Sequence, residues 1–273
     1  MYLKSLILLL AVALLSAGRV PPLEERIVCG FPQDIKTASW QVYVNIKKPN
    51  GVSGGCGGVI IAENIILTAA HCVANREATD IAVYYGSSIK LEGDVANVSD
   101  VLVHAEYNPE GTNGNLANDI AVLLLSTNIP LGSSAYPIEI ADETPQPGRW
   151  ALVTGWGSSI DDGSSGVTDL QGAYVLIEDH QKCELAHSVN LPSCSNQNTT
   201  ITDDMICSIG VNGGPCRGDS GGPLVSVPDN QLVGIVSWTP YCGHPYYPDV
   251  YANVVVLKNW ILTALQSSTV IEE

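Results

Sequence analysis

Gly218-Asp219-Ser220-Gly221-Gly222-Pro223 is the stretch from which the fold of this chain is inferred. Two segments precede it, first Thr68-Ala69-Ala70-His71-Cys72 and then Asn118-Asp119-Ile120-Ala121-Val122-Leu123-Leu124. A serine hydroxyl is a poor nucleophile at neutral pH and needs an adjacent base, and the pKa of histidine lies close to neutral pH. Together the three segments supply a candidate nucleophile, a base and a carboxylate that can orient the base.

The first 18 residues have the composition of a secretory signal peptide. Lys4 precedes an apolar run from Leu6 to Leu15 that is too short to span a bilayer. Ser16-Ala17-Gly18 then supplies the small residues that a signal peptidase needs, and no later segment is long and apolar enough to cross a membrane. The pattern predicts a signal peptide over residues 1–18 and a protein that is secreted to the extracellular space without a membrane anchor.

Acidic residues outnumber basic ones by 28 to 12, which gives a formal net charge of −16. This balance excludes a simple nucleic-acid-binding protein, which needs clustered Lys and Arg to neutralise phosphate. Net charge bears on solubility more than on function. The acidity therefore indicates a well-solvated surface, and it is also compatible with basic substrates.

Short apolar or alternating runs recur along the chain and are separated by Gly, Pro, Asn and Asp. Such runs, many of them rich in Val, Ile and Tyr, are typical of an all-β sandwich or barrel. They occupy residues 41–46, 59–67, 81–85, 98–103, 120–125, 150–154, 173–177, 224–227 and 232–238. The proline-rich segment 126–148 predicts the crossing between two small barrels, and residues 255–265 have the apolar spacing of a helix, followed by a frayed tail over residues 266–273.

The order His, Asp, Ser resembles the chymotrypsin-like (trypsin family) secreted serine endopeptidases over about residues 26 to 265. Further matching segments are Arg26-Ile27-Val28, Gly55-Cys56-Gly57-Gly58, Thr154-Gly155-Trp156-Gly157, Ser237-Trp238 and Val250-Tyr251. The resemblance implies two six-stranded antiparallel β-barrels with a C-terminal helix, in one trypsin-like protease domain over residues 27–273. It also implies a monomeric enzyme that hydrolyses protein or peptide substrates and needs no cofactor.

The resemblance assigns a role to each catalytic residue. His71 is the general base that accepts the Ser220 proton and delivers it to the leaving amine, while Asp119 fixes the imidazole tautomer and stabilises the imidazolium. The backbone N–H groups of Gly218 and Ser220 form the oxyanion hole. Because Gly218 has no side chain, the substrate carbonyl can approach closely.

Glu24-Glu25-Arg26-Ile27-Val28 resembles a family activation site at the end of a propeptide over residues 19–26. Cleavage after Arg26 frees the Ile27 amine, which in the family pairs with the carboxylate of Asp219 and orders the oxyanion hole and pocket. The propeptide contains no cysteine, so no disulfide holds it after cleavage.

Eight cysteines in a secreted chain indicate disulfides, and the count alone leaves every connectivity open. The family framework implies the pairs Cys56–Cys72, Cys183–Cys207 and Cys216–Cys242. Cys29, which replaces a family glycine, and Cys194 remain. They form either a fourth disulfide or two free thiols.

The substrate pocket departs from that of trypsin-like enzymes. Gly214 aligns with the pocket base, where those enzymes carry an aspartate that anchors Lys and Arg, and Pro215 adds bulk beside it. Thr239, after Ser237-Trp238, narrows one wall, and Asp249 lies on the opposite wall, both at positions where glycine is usual. The combination is elastase-like, with Asp249 screened by its neighbours. We expect a preference for Ala, Val, Thr or Ile before the scissile bond (P1).

The alternative makes Asp249 a counter-ion for Lys or Arg, as in crab collagenolytic proteases with a similar pocket base. Mixed specificity is compatible with either pocket, since one methylene changes binding by only about 1–3 kcal/mol. A pocket that rejects Arg cannot cut the Arg26–Ile27 bond. The small-residue prediction therefore implies a separate trypsin-like protease as an activating partner.

Other site types are weakly supported. Asn97-Val98-Ser99 and Asn198-Thr199-Thr200 are acceptor sequences for N-glycosylation in a secreted chain. Residues 86–95 carry Glu92 and Asp94, too few ligands for calcium, which binds six to eight oxygens, so we expect no metal.

A non-catalytic homologue that acts as a binding or regulatory protein is the main alternative of another class. Such proteins have usually lost the His, the Asp or the Ser, and this chain retains all three. The retained residues favour an enzyme.

Overall fold

A computed structural model describes residues 30–48, 51, 53–108, 116–158, 166–188, 200–211 and 213–269. Within these ranges the chain has thirteen β-strands, three α-helices and two 3-10 helices. No helix in the described part of the chain is long and apolar enough to cross a membrane. Several predictions fall outside these ranges: the signal peptide, the propeptide, Arg26, Ile27, Cys29, Cys194 and Asn198.

The first barrel is built from six antiparallel strands in the first half of the chain. They are β2 (Gln41–Lys47), β3 (Ser53–Ala62), β4 (Ile65–Thr68), β5 (Ile81–Tyr85), β6 (Asp94–Val103) and β7 (Ala121–Leu125). The sheet closes in the order β2-β3-β4-β7-β6-β5. Along β6, Ala96 and Val98 are buried and Asn97 between them is exposed, which is the two-residue period of a strand with one buried face.

The second barrel uses six strands from the second half of the chain. They are β8 (Trp150–Gly155), β9 (Gln171–Ile177), β10 (Met205–Gly210), β11 (Pro223–Ser226), β12 (Gln231–Trp238) and β13 (Asp249–Asn253). The order β9-β10-β13-β12-β11-β8 is closed by pairing between β8 and β9, and the short strand β1 (Phe31–Pro32) pairs with β9 from outside. Two closed six-stranded barrels confirm the predicted fold class.

Residues 126–148 connect β7 to β8 and pass from one core to the other, as their prolines predicted. Ile129 and Ile138 pack in the core of the first barrel, whereas Ala141 packs in the core of the second. The segment therefore marks the boundary between the two barrels.

The helices are α1 (Ala70–Val73), α2 (His180–Ser188) and α3 (Lys258–Thr269), and the 3-10 helices span Ile35–Thr37 and Ala78–Asp80. The apolar stripe predicted for the last helix packs against the first barrel, with Leu257 and Ile261 buried. Its bounds were wrong: the helix starts at Lys258 and continues to Thr269, through residues that were predicted to fray. Asn253 explains the late start, because its side-chain oxygen accepts hydrogen bonds from the N–H groups of residues 255 and 256 and so caps the turn before the helix.

Two buried hydrogen bonds join the barrels and define the cleft between them. Thr154 Oγ1 donates to Gln41 Oε1 at 2.6 Å across a separation of 113 residues. The N–H of Gly57 on β3 donates to the carbonyl oxygen of Ser220 at 2.7 Å. Because buried polar groups are costly unless paired, these bonds favour one docking geometry and hold Ser220 against the first barrel.

Candidate active site

His71 and Asp119 are joined by two hydrogen bonds. The imidazole Nδ1 lies 2.7 Å from Asp119 Oδ2, and the backbone N–H of His71 donates to Asp119 Oδ1 at 2.8 Å. His71 lies on the short helix α1, which the disulfide Cys56–Cys72 ties to β3, and Asp119 lies just before β7. One carboxylate thus binds both the backbone N–H and the ring of His71. This fixes the ring orientation and favours the tautomer with the proton on Nδ1.

The environment of this pair suits a general base. Burial lowers the pKa of His71, but the hydrogen bond and the negative charge of Asp119 outweigh it, so the pKa is raised above its ordinary value. Asp119 is 1% exposed, and Ser237 Oγ donates a further hydrogen bond of 2.5 Å to Asp119 Oδ2. Ser237 was predicted to line the substrate pocket, which stays a prediction; its hydroxyl is directed to the Asp119 carboxylate.

Ser220 and Gly218 lie between β10 and β11, in the second barrel. The Ser220 hydroxyl is partly exposed and makes no hydrogen bond with a described residue, and His71 Nε2 lies 3.7 Å from Cys72 Sγ. A disulfide sulfur has no proton to donate, so the Nε2 lone pair remains available. The structure therefore joins the base to the carboxylate but does not join Ser220 to the base, a contact that is often long before substrate binds.

Gly218, predicted to supply an oxyanion-hole donor, has a left-handed backbone conformation. Its φ of 99° lies in the region that favours glycine. Neither its N–H nor that of Ser220 donates to another described residue. Both donors are thus free to bind a substrate oxygen.

Asp219 is fully buried beside the candidate nucleophile. Its carboxylate accepts hydrogen bonds from the N–H groups of Gly157 at 2.7 Å and Cys216 at 2.9 Å. Burial raises its pKa to about 6, although the two hydrogen bonds and the charge of Lys90 act in the opposite direction. Among the described residues no cation forms an ion pair with Asp219, and Lys90 acts on it only through its charge.

Gly214 and Asp249, two of the residues predicted for the substrate pocket, lie against each other. Gly214 and Pro215 are buried, the disulfide Cys216–Cys242 links their segment to the loop after β12, and Asp249 begins β13. A Cβ at Gly214 would lie 2.7 Å from Asp249 Oδ2. The carboxyl group thus lies directly against the predicted pocket base.

His187 is a residue that the sequence interpretation missed. It lies on α2, which the disulfide Cys183–Cys207 anchors to β10, and only 5% of it is exposed. Its ring packs edge-on against Trp238, with centroids 4.8 Å apart, and its Nε2 lies 3.0 Å from the carbonyl oxygen of Pro248. The His187 side chain therefore contacts both Trp238 and the residue that precedes Asp249. A lone histidine in a short helix gives no sequence signal of this role.

No convincing metal centre is present among the described residues. One group of potential ligands lies close together, Cys56, His71 and Cys72. The two cysteines are joined in a disulfide and cannot bind as thiolates.

Comparison with known proteins identifies the family. The family profile described as Trypsin matches residues 27–261. The chain belongs to the trypsin family. It is a serine-type endopeptidase, and its substrates are proteins or peptides.

Its relatives in the trypsin family match nearly the whole chain. Trypsin alpha of Drosophila erecta is 37% identical over 271 residues, which cover 97% of this chain and 99% of that protein. Hypodermin-B of Hypoderma lineatum is 34% identical over 250 residues, 91% of each chain.

Similar solved structures include a serine protease and an inactivated protease paralogue. Neuropsin, a serine protease expressed in the limbic system of mouse brain, has a TM-score of 0.72 and 28% identity, covering 86% of this chain and 98% of its own. The scabies mite inactivated protease paralogue S-D1 has a TM-score of 0.77 and 26% identity, covering 88% and 97%. The fold alone therefore does not decide whether a chain is active, and the site must.

Proposed function

We propose that this protein is a secreted serine endopeptidase that cleaves extracellular proteins through an acyl-enzyme on Ser220. The observation that carries the proposal is the His71–Asp119 pair, in which a buried carboxylate lies 2.7 Å from Nδ1, so that in the neutral ring Nε2 carries the lone pair. Those features are what a general base beside a serine needs. The free N–H groups of Gly218 and Ser220 supply the matching oxyanion donors.

Each proton has a defined path in this mechanism. Ser220 Oγ attacks the substrate carbonyl carbon while its proton passes to His71 Nε2, and the carbonyl oxygen takes the negative charge toward the N–H groups of Gly218 and Ser220. His71 then gives the proton to the leaving amine, and the C–N bond breaks to leave an ester on Ser220. A water molecule, deprotonated by His71, hydrolyses the ester by the same steps.

Asp119 stabilises the imidazolium that forms in both halves of the reaction. Its two oxygens are already fixed by three donors, from the ring and backbone of His71 and from Ser237. Preorganised groups of this kind cost no reorganisation when charge develops. Ser220 must approach Nε2 as substrate binds, because the two are not hydrogen-bonded in the described structure.

The proposal includes activation by cleavage after Arg26. The released amine of Ile27 would supply the cation that the buried carboxylate of Asp219 lacks among the described residues. Support comes from the complete burial of Asp219 and from its position directly before Ser220. An ion pair there would couple cleavage of the propeptide to the geometry of the oxyanion hole.

For P1 we retain the preference for small aliphatic residues, with Lys or Arg as the alternative. Thr239 and Pro215 favour the first choice, because their side chains add bulk where glycine or a smaller residue would leave room. Asp249 favours the alternative. Incubation of the purified zymogen alone separates the two, since efficient self-cleavage at Arg26 contradicts a pocket that rejects Arg.

A fluorophosphonate probe, which reacts only with an activated serine, tests the function itself. We expect labelling of the wild-type chain after cleavage at Arg26, little labelling of an Arg26→Gln chain, and none of processed Ser220→Ala. Absence of labelling in correctly processed wild-type protein would instead favour a non-catalytic homologue. The similarity to the inactivated scabies mite paralogue is the observation that makes this second candidate worth testing.

A further inference from the structure

The carboxyl group of Asp249 is buried without a hydrogen-bond partner. It is 1% exposed, and neither Oδ1 nor Oδ2 accepts a hydrogen bond within the described part of the chain. The nearby Thr239 hydroxyl, a natural donor, gives its proton to the carbonyl oxygen of Tyr241 at 2.7 Å. An unpaired buried carboxylate is costly, so a fold that keeps one in a binding pocket points to a ligand that pairs with it.

The position of this carboxyl group assigns it to the floor of the substrate pocket. Oδ2 lies where a side chain at Gly214 would need to go, 2.7 Å from the Cβ such a residue would have. Because residue 214 is glycine, no side-chain atom stands between the pocket base and this carboxyl group. Asp249 is the one acidic or basic residue among those predicted to line the pocket, which are Gly214, Pro215, Ser237, Trp238, Thr239 and Asp249.

No described group that faces Asp249 is a cation at neutral pH. The segment 213–219 contributes Asp219, whose negative charge disfavours ionisation of Asp249. On the same strand, the Tyr251 hydroxyl is hydrogen-bonded to Ser208, on the paired strand β10, at 2.8 Å. From α2, His187 contacts Pro248, and burial lowers its pKa.

These surroundings favour the neutral acid over the carboxylate in the empty pocket. Burial raises the pKa of Asp249 well above its ordinary value; proximity to the Thr239 hydroxyl offsets part of the rise, and the charge of Asp219 adds to it. A neutral carboxyl group is compatible with an aliphatic side chain above it. An ionised one requires a cation.

We propose that Asp249 is a protonatable pocket floor that admits two classes of P1 residue: uncharged side chains when it is neutral, and Lys or Arg when it is ionised. The inference rests on the proposed endopeptidase function and deepens it, because it makes the two alternative specificities two states of one pocket. When a cationic side chain enters above the neutral acid, one proton leaves Asp249 for solvent and a carboxylate–cation pair forms. Cleavage after Lys therefore becomes easier as pH rises, whereas cleavage after an uncharged residue does not depend on this proton.

Two peptide substrates that differ only at P1 isolate the effect. One carries Lys and the other norleucine, which has nearly the same chain length without the ammonium group. The ratio of their kcat/KM values cancels the ionisation of His71, which both reactions share. For the processed wild-type enzyme we expect the Lys/norleucine ratio to rise about tenfold per pH unit while Asp249 is neutral and then to level off. The rise should extend above about pH 5, where an ordinary aspartate is already ionised.

Asp249→Asn keeps the shape of the side chain and removes its titration. We expect the variant to lose the Lys/norleucine preference by roughly 100-fold or more at high pH and to show a ratio that does not change with pH. Asp142→Asn is the matched control, because it removes the same charge from a surface carboxylate whose side chain is 89% exposed and paired with Lys258. The control should reproduce the wild-type ratio at every pH.

Proton release gives a second measurement that does not need turnover. Butylguanidinium, which mimics an Arg side chain, is added to processed protein in weakly buffered solution below the pH at which the ratio levels off. We expect up to one proton released per site from wild type and from Asp142→Asn, and none from Asp249→Asn. Three results would each overturn the proposal. They are a Lys/norleucine ratio that does not change with pH in wild type, a ratio in Asp249→Asn equal to that of wild type, and binding of butylguanidinium to wild type without proton release. These results are distinct from failure of the proposed function, which is loss of fluorophosphonate labelling.

Discussion

The imidazole of His187 is hydrogen-bonded to the carbonyl oxygen of Pro248, with Nε2 and the oxygen 3.0 Å apart. This bond ties α2 to the residue directly before Asp249, while the same ring packs against Trp238. The ring donates from Nε2 because a carbonyl can only accept. His187 therefore supports Trp238 and the segment before Asp249 without contacting His71, Asp119 or Ser220.

Replacement of His187 by Leu should weaken substrate binding more than chemistry. The change leaves the carbonyl of Pro248 without its donor and removes the polar edge packed on Trp238, a loss of about 1–3 kcal/mol. We expect kcat/KM to fall about tenfold, mainly through KM, with fluorophosphonate labelling close to wild type. His187→Gln, which can donate an amide N–H, should recover part of the loss. Equal losses in both variants, or a fall confined to kcat, would argue against a positioning role.

Asp119→Asn should abolish most turnover while leaving the fold intact. An amide in place of the carboxylate cannot accept from both donors of His71 and favours the wrong imidazole tautomer. We expect kcat to fall by about 10,000-fold, as for this change elsewhere in the family, with an unchanged thermal midpoint. Residual activity within tenfold of wild type would show that Asp119 does not orient the base.

The pH profile for an uncharged substrate should report His71. The base must be neutral to accept a proton, and the pKa of His71 is raised by Asp119 despite burial. We therefore expect kcat/KM for the norleucine substrate to rise with pH through a midpoint above about 6.5, the ordinary value for histidine.

Ser237→Ala should move that midpoint further. Without the 2.5 Å hydrogen bond from Ser237, the negative charge on Asp119 Oδ2 is less dispersed and stabilises the imidazolium more strongly. The acid limb should shift to higher pH. A shift in the opposite direction would show that Ser237 supports the pair in another way.

Asp219 should make the uncleaved chain less stable as pH rises. Its pKa is raised from 3.8 to about 6 in the folded state, so the folded state binds more protons than the unfolded state between those values. Its stabilising contribution is therefore present below about pH 4 and lost by about pH 6, a change of about 3 kcal/mol.

Denaturant unfolding of an Arg26→Gln chain, with and without Asp219→Asn, checks this contribution. Asp249 is present in both chains, so only the part of its titration that depends on the charge of Asp219 enters the comparison. Between about pH 4 and pH 6, the free energy of unfolding should fall less steeply with pH in the Asp219→Asn chain than in its parent. Parallel curves for the two chains would mean that Asp219 is already paired before cleavage.

The sequence predicted the general architecture because local patterns and family motifs carry it. Most strand runs and the crossing at residues 126–148 lie where the patterns indicated, but the run 59–67 is split between β3 and β4, and β10 and β13 were not among the predicted runs. The state of Asp249 was not predictable in the same way. It depends on whether the Thr239 hydroxyl turns to the carboxylate or to the Tyr241 carbonyl, and a residue list does not specify that choice.

The same limit applies to residues whose partners are distant in sequence. The hydroxyl of Ser237 bonds a carboxylate 118 positions earlier in the chain, a contact that the local sequence does not indicate. The end of α3 was misplaced for a more local reason, since residues 266–269 carry no periodic apolar signal and still continue the helix.

The catalytic groups are divided between the barrels, with His71 and Asp119 in the first and Ser220 in the second, and Gly57 joins the halves through the Ser220 carbonyl. During synthesis the first barrel leaves the ribosome before the second exists. A nascent or prematurely terminated chain thus carries a base with no nucleophile. We therefore expect no proteolytic activity from the chain until the second barrel has been made.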